Sequence, residues 1–75
     1  RRIEGTEIAV CIKRTNNGFR LNLRSNGKAD VAEVAMKFGG GGHIKAAGAT
    51  LDFDSTEKAE KAVIDACKRA LDKII

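Results

Sequence analysis

Two segments of alternating apolar residues, joined by an Asn-Gly pair, constrain the fold of this chain more than any other feature. The side chains predicted to face inward are Ile8, Val10 and Ile12 in the first segment and Phe19, Leu21 and Leu23 in the second. A period of two is typical of strands that bury one face. Asn17-Gly18 between them is a strong hairpin signal, because both residues tolerate a positive φ. The sequence therefore predicts a β-hairpin over about residues 7–25.

The apolar period then changes to that of a helix. The residues spaced i, i+3, i+4 and i+7 on one stripe are Val31, Val34, Ala35 and Phe38. Asp30 can cap this helix, and Glu33 completes a capping-box pair. Gly39 can adopt the left-handed conformation that ends a helix.

A strand and a long helix are predicted after Gly48. Residues 49–53 alternate again, and Asp54 or Ser55 can cap the helix that follows. The apolar face of this helix comprises Ala59, Ala62, Val63, Ala66, Ala70 and Ile74, with Cys67 and Leu71 beside it. The predicted order is ββα, glycine loop, βα. This order favours an α+β fold with a small mixed sheet, opened by the hairpin, and helices packed on one face.

Length and composition limit the class of protein. The chain has 75 residues, so residues 1–75 are interpreted as one domain. No stretch approaches the roughly 18 apolar residues that a membrane-spanning helix needs. Cys11 and Cys67 lack the spacing of a metal or redox motif. We therefore expect buried thiols, a reducing compartment and a cytoplasmic location.

The net charge is unevenly distributed. It is +4 overall, with nine Lys/Arg and four Asp/Glu in residues 1–48, and five Lys/Arg and six Asp/Glu in residues 49–75. The positive excess therefore lies in the half that contains the glycine run. This favours an anionic partner such as phosphate or nucleic acid.

The stretch KFGGGGHIKAAGA, residues 37–49, is the candidate anion site. Consecutive glycines allow several backbone N–H groups to converge on a phosphate, and HIKAA is predicted to form a short helix whose N-terminus adds to that field. Arg24, next to Ser25 at the end of the second strand, is the predicted second anchor. The candidate residues are Arg24, Ser25, Gly39, Gly40, Gly41, Gly42 and His43. Arg20 is interpreted as a solvated surface charge. The alternative is structural: a helix cap, a turn and close packing.

No catalytic set is visible in the sequence. Metal-dependent hydrolysis needs three or more converging ligands, and His43 is the only histidine. Nucleophilic catalysis would need a serine or cysteine paired with His43, and neither cysteine lies in such a motif. The sequence therefore predicts a binding domain with no cofactor of its own.

The stretch NLRSNGKADVAEVAMKFGGGGHIKAAGATL, residues 22–51, closely resembles the substrate-binding domain that follows the catalytic domain in DHH-family phosphoesterases. GGGGHIKAAGA matches the glycine-histidine-alanine signature of that domain, and LRS with a short helix matches the segment before it. The resemblance is strong over about residues 8–54. It is greatest to the oligoribonuclease/3′-phosphoadenosine-5′-phosphate phosphatase branch, also called exopolyphosphatase-related.

The resemblance implies a division of labour within a longer two-domain enzyme. A separate catalytic domain would hold Mn²⁺ on an Asp-His-His run, which is absent here, and this chain would hold the substrate. Gly40, Gly41, Gly42 and His43 would then contact phosphate, and Arg24 and Ser25 would grip phosphate or base. The implied partners are a short single-stranded oligonucleotide or nucleotide phosphate and the catalytic domain of the same chain, with no membrane; a homodimer through the longer protein stays open.

Three alternatives also stay open. The same domain could belong to a cyclic-dinucleotide phosphodiesterase or to a single-strand exonuclease. It could also be a non-catalytic nucleic-acid-binding module like the one at the end of alanyl-tRNA synthetases. His43 disfavours this last alternative, because that branch usually lacks histidine at this position.

Overall fold

The computed structural model describes residues 8–73, which form four strands and two helices. The strands are β1 (Ile8–Thr15), β2 (Gly18–Ser25), β3 (Gly41–His43) and β4 (Ala46–Leu51), and the helices are α1 (Val31–Met36) and α2 (Thr56–Asp72). The predicted membership of Ile74 in the apolar face of the last helix, and the ends of the predicted domain 1–75, lie outside the described residues. Within residues 8–73, no helix is long and apolar enough to cross a membrane.

The strands form one open sheet in the order β1-β2-β4-β3, and each neighbouring pair is antiparallel. The predicted hairpin is confirmed, since Ile8 to Thr15 pair with Ser25 to Gly18 without interruption. The predicted α+β class is also confirmed. The pairings of the described strands are all antiparallel, however, so their directions are not mixed.

The core lies between one face of this sheet and the two helices. The strand residues Ile8, Val10, Phe19, Leu21, Leu23, Ala49 and Leu51 are buried together with Val31, Val34 and Ala35 of α1 and Ala59, Val63, Ala66, Cys67 and Ala70 of α2. Phe19 is fully in the core, whereas Phe38 and Phe53 are half-buried against it and meet edge to face. Because both helices cover the same face, no helix among residues 8–73 covers the other face of the sheet, which we call the open face.

Side-chain caps start both helices. The Asp30 carboxylate accepts a hydrogen bond from the Glu33 N–H at 3.1 Å, as predicted for α1. The Ser55 hydroxyl accepts from the Lys58 N–H at 3.2 Å, which selects Ser55 rather than Asp54 as the cap of α2. Such caps contribute about 1 kcal/mol each because they satisfy backbone donors that the first turn leaves unpaired.

Two local predictions are wrong. The segment HIKAA is not a helix: His43 ends β3, residues 44 and 45 form a turn, and Ala46 begins β4. The glycine run therefore forms the edge of the sheet as well as a loop. The hairpin turn is formed by Asn16 and Asn17, while Gly18 begins β2 and is paired with Thr15.

The predicted burial of both cysteines holds for only one of them. Cys67 is buried in α2, whereas Cys11 is exposed on the open face of β1. Cys11 is exposed because it alternates with Val10 and Ile12 in β1, and the helices pack only on the face that those two residues share. Burial raises the pKa of the Cys67 thiol from 9.0 to about 11.

This difference predicts selective alkylation. Iodoacetamide at a pH of about 8 is expected to modify Cys11 and to leave Cys67 intact in the folded chain, because the thiolate is the reactive form and Cys67 is both buried and protonated. Mass spectrometry of the intact chain checks this prediction, and the expected result is the addition of one carbamidomethyl group per chain. In denaturant both thiols should react; two adducts formed equally fast under native conditions would contradict the burial of Cys67.

Candidate functional site

The open face of the sheet brings Arg24 and His43 into one cross-strand row. Arg24 on β2 is paired with Ala46 on β4, and Ala46 is paired in turn with His43 on β3. Paired residues of an antiparallel sheet point to the same face. Since strands lie about 4.8 Å apart, the two Cα atoms are separated by roughly 10 Å, with only a methyl group between them.

The adjacent row has only one residue with a side chain of its own, Asn22, at its β2 end. Asn22 on β2 is paired with Gly48 on β4, which is paired with Gly41 on β3. These two rows border a shallow depression of about 310 Å³, whose lining includes Arg20, Asn22, Arg24, Gly41, Ala46 and Gly48. His43 lies beside this depression, at the end of its row. The arginines of β2 thus line one side of the depression, and its base is formed by glycine and alanine residues of β3 and β4, which we call the glycine floor.

Folding explains three of the four glycines in the run. Gly39, at a φ of 80°, ends α1, while a Cβ on Gly40 would lie 2.1 Å from the Gly48 carbonyl oxygen. Gly42 has a φ of 143° and would place a Cβ 2.7 Å from the Ala47 Cα. A Cβ on Gly41 would meet nothing within 4 Å. Gly41 is therefore the one glycine of the run that the described fold does not require, and it lines the depression.

The backbone amides of the run do not form the predicted convergent cradle. The Gly39 N–H donates to the Met36 carbonyl at 3.1 Å and the Gly40 N–H to the Ala35 carbonyl at 2.9 Å, which together make a Schellman motif. In β3, the alternation of an antiparallel ladder turns the amides of Gly41 and His43 toward β4. Only the Gly42 amide then points away from the sheet within this run. The site consequently depends on side chains above a small-residue floor.

The ring of His43 is oriented by its own turn. Its Nδ1 accepts a hydrogen bond from the Lys45 N–H at 3.1 Å. A nitrogen that accepts from an N–H carries no proton, so the neutral ring bears its proton on Nε2. Since no acceptor in the described part of the chain contacts Nε2, its N–H group is available as a donor for a ligand.

Three hydrogen bonds hold this turn against residues 25–31, which follow Arg24. The Ser25 N–H donates to the Lys45 carbonyl at 2.9 Å, and the Val31 N–H donates to the Ile44 carbonyl at 2.9 Å. The Lys45 ammonium reaches the Gly27 carbonyl at 3.4 Å. These bonds fix the position of His43 relative to Arg24, because each joins the β3–β4 turn to the segment that follows Arg24.

The predicted site residues do not all meet. Arg24, Gly41, Gly42 and His43 lie on or beside the open depression. Ser25 points to the core side of the sheet, is buried, and its hydroxyl accepts from the Gly27 N–H at 3.3 Å. Gly39 and Gly40 lie in the helix end. The structure therefore separates Ser25, Gly39 and Gly40 from the open-face residues.

The sequence interpretation missed Arg20, which lines the same depression as Arg24. The available signal was the period of two in β2, which places Arg20, Asn22 and Arg24 on one face. What could not be read from the sequence was that Gly48 would lie beside them. Only the pairing of β2 with β4 supplies that neighbour.

The electrostatics of the face favour an anion. The strand residues that face outward include Lys13, Arg20 and Arg24 and, in the described strands, no Asp or Glu. The described residues contain no group of three or more His, Cys, Asp or Glu side chains that could hold a metal ion. The residues present thus do not fit the implied Mn²⁺, and no step of the chemistry is assigned to a metal in this chain.

Comparison with known proteins identifies the family to which this chain belongs. A model of the DHHA1 domain matches residues 1–71. The chain belongs to the DHHA1 domain family. The resemblance predicted from the glycine-histidine-alanine stretch is confirmed, because the relatives of this DHHA1 domain belong to the oligoribonuclease/PAP phosphatase and exopolyphosphatase-related branch.

Three relatives illustrate the similarity. A protein named bifunctional oligoribonuclease and PAP phosphatase NrnA, from Thermus thermophilus, is 35% identical over 71 residues, which cover 95% of this chain and 22% of the relative. A protein of the same name from Mycoplasma pneumoniae is 55% identical over 40 residues, 53% of this chain and 12% of the relative. The crystal structure of an exopolyphosphatase-related protein from Bacteroides fragilis superposes with a TM-score of 0.76 at 26% identity, over 89% of this chain and 20% of that one. The DHHA1 chain thus spans about a fifth of the first relative and of the solved structure.

Proposed function

We propose that this DHHA1 domain is the substrate-recognition domain of a phosphoesterase that hydrolyses short oligonucleotides, 3′-phosphoadenosine 5′-phosphate or both. The observation that carries the proposal is the row of Arg24, Ala46 and His43 on the open face of the sheet. It offers two kinds of phosphate donor on either side of one methyl group.

The row suits a phosphate for three physical reasons. The Arg24 guanidinium can donate two parallel hydrogen bonds to phosphate oxygens, and such charge-assisted bonds contribute about 1.5–3 kcal/mol each. The Nε2–H of His43 adds a donor from the opposite side, and the Lys45 amide holds the ring in place. The small side chain of Ala46 and the open space above Gly41 leave room for the ligand to lie close to the backbone.

Catalysis is assigned to another part of the longer protein. The Thermus thermophilus protein named bifunctional oligoribonuclease and PAP phosphatase NrnA is between four and five times as long as the matched segment, since that segment covers 22% of it. We place Mn²⁺ and the hydrolytic chemistry in that remaining part. The DHHA1 domain would contribute by holding the phosphodiester in line, because positioning alone lowers the barrier of a reaction between two bound groups.

The proposal predicts a localised response to nucleotides. In a ¹H–¹⁵N titration of the chain with adenosine 3′,5′-bisphosphate, shifts are expected at Arg24, at residues 41–43 and at residues 46–48, with an affinity of about 1 mM for this half-site. Residues on the outer face of α2, such as Lys61 and Lys68, are the internal control. Equal shifts on both faces, or shifts on α2 alone, would contradict the proposal.

A further inference from the structure

Arg20 does not extend straight into solvent from its place on β2. Its partners across the sheet are Lys13 on β1 and Thr50 on β4, yet its Nη2 atom lies 2.9 Å from the position that a Cβ on Gly48 would occupy. Gly48 belongs to the neighbouring row, opposite Asn22. The side chain of Arg20 therefore bends along the sheet toward the row of Arg24, and the missing side chain at Gly48 provides the space for it.

Two guanidinium groups consequently line one depression. Among the described residues, neither has a carboxylate partner, and the described strand positions of this face carry no acid. Two like charges in one concavity repel each other, and nearby low-dielectric surface strengthens the repulsion. An anion with more than one charge relieves this repulsion better than a single phosphate does.

The spacing of the rows suits two phosphates of one ligand. Successive rows on one face are two residues apart along a strand, which is about 6.7 Å. The Arg20 guanidinium lies over the row of Gly48, one row away from the Arg24–His43 row. This separation is comparable with that between the two phosphates that flank a single nucleoside.

We propose that Arg20 forms a second anion subsite, which binds the phosphate on the far side of the nucleoside whose first phosphate lies at Arg24 and His43. This inference rests on the proposed function and adds a specificity. The site would prefer nucleoside 3′,5′-bisphosphates and 5′-phosphorylated dinucleotides to nucleoside monophosphates. Arg20 would supply that preference, and Arg24 would supply the affinity common to both classes.

The test compares adenosine 3′,5′-bisphosphate with adenosine 5′-monophosphate by NMR titration of the chain. Arg20→Ala is expected to weaken binding of the bisphosphate roughly tenfold and to change binding of the monophosphate less than twofold, because only the bisphosphate reaches both subsites. Arg24→Ala should weaken both ligands. Lys13→Ala is the matched control: it removes the same charge from the same face, opposite Arg20 on β1, outside the lining of the depression.

Each outcome decides one part of the proposal. If Arg20→Ala weakens both ligands equally, or leaves the ratio of their affinities unchanged, the second subsite is wrong while the binding role of the domain stands. If Lys13→Ala weakens the bisphosphate as much as Arg20→Ala does, the effect is general attraction and the subsite is also wrong. If the unmodified chain binds neither ligand, the proposed function fails and this inference fails with it. Unchanged spectral dispersion verifies that Arg20→Ala, an exposed position, is folded.

Discussion

Replacing Gly40 with alanine is expected to lower the melting temperature of the chain by roughly 15 °C. The added Cβ would lie 2.1 Å from the Gly48 carbonyl oxygen and 2.6 Å from the Ala49 Cβ, both on β4. Neither atom can rotate away, so the helix end must separate from the sheet. Overpacking of this kind costs about 3 kcal/mol, and in a domain of this size each kcal/mol shifts the melting temperature by about 4–8 °C. Thermal unfolding followed by circular dichroism measures the loss.

Gly41→Ala is the matched control for this prediction. Its Cβ would meet nothing within 4 Å, and Gly41 is not among the glycines with a positive φ. The melting temperature should therefore change by no more than a few degrees. Equal destabilisation by the two substitutions would contradict the assignment of Gly40 to the fold and of Gly41 to the site.

Replacing Arg24 with alanine is expected to weaken binding of adenosine 3′,5′-bisphosphate by about 30-fold. The substitution removes a guanidinium that would donate charge-assisted hydrogen bonds to phosphate, and 30-fold corresponds to about 2 kcal/mol. The melting temperature should stay within a few degrees, because Arg24 is exposed on the face that the helices leave open. The affinity of Arg24→Lys for the bisphosphate should lie between that of the unsubstituted chain and that of Arg24→Ala. An ammonium keeps the positive charge but lacks the planar pair of donors of a guanidinium.

Arg69→Ala controls for the loss of one positive charge. Arg69 is exposed on α2, which packs on the opposite face of the sheet. Its removal should leave nucleotide binding nearly unchanged. If Arg69→Ala and Arg24→Ala weaken binding to the same extent, attraction to the whole basic chain explains the binding, and the row of Arg24 and His43 has no special role.

The glycine run illustrates how one sequence motif can serve folding and binding at adjacent residues. Gly39 ends α1 and Gly40 lies against β4, and the amides of both residues are used in capping bonds. Gly41 faces the open depression and has room above it. The sequence predicted that the consecutive amides of this run would converge on an anion. In the structure, some of these amides donate to the helix end and others face the neighbouring strand.

The binding face illustrates the opposite case, in which separate segments form one site. Arg24 was predicted from its place at the end of a strand, and His43 from its place after the glycines. Their relative position depends on β4, which lies between them and was predicted to begin three residues later than it does. Arg20 lies in the site because Gly48, a residue 28 positions away along the chain, leaves space for its guanidinium.

The sequence by itself determined the hairpin, the two capped helices and the α+β class of this DHHA1 domain. These features depend on the period of the apolar residues and on local capping, both of which are properties of short segments. Only the tertiary structure decided that residues 41–43 pair with residues 46–48, and that this pairing lays His43 and a glycine floor beside the arginines of β2. The hairpin of residues 41–48 was hidden because glycine is depleted in strands and gives no alternating apolar pattern. The register of β4 against β2 depends on contacts between distant segments, so no local pattern within the glycine run could specify it.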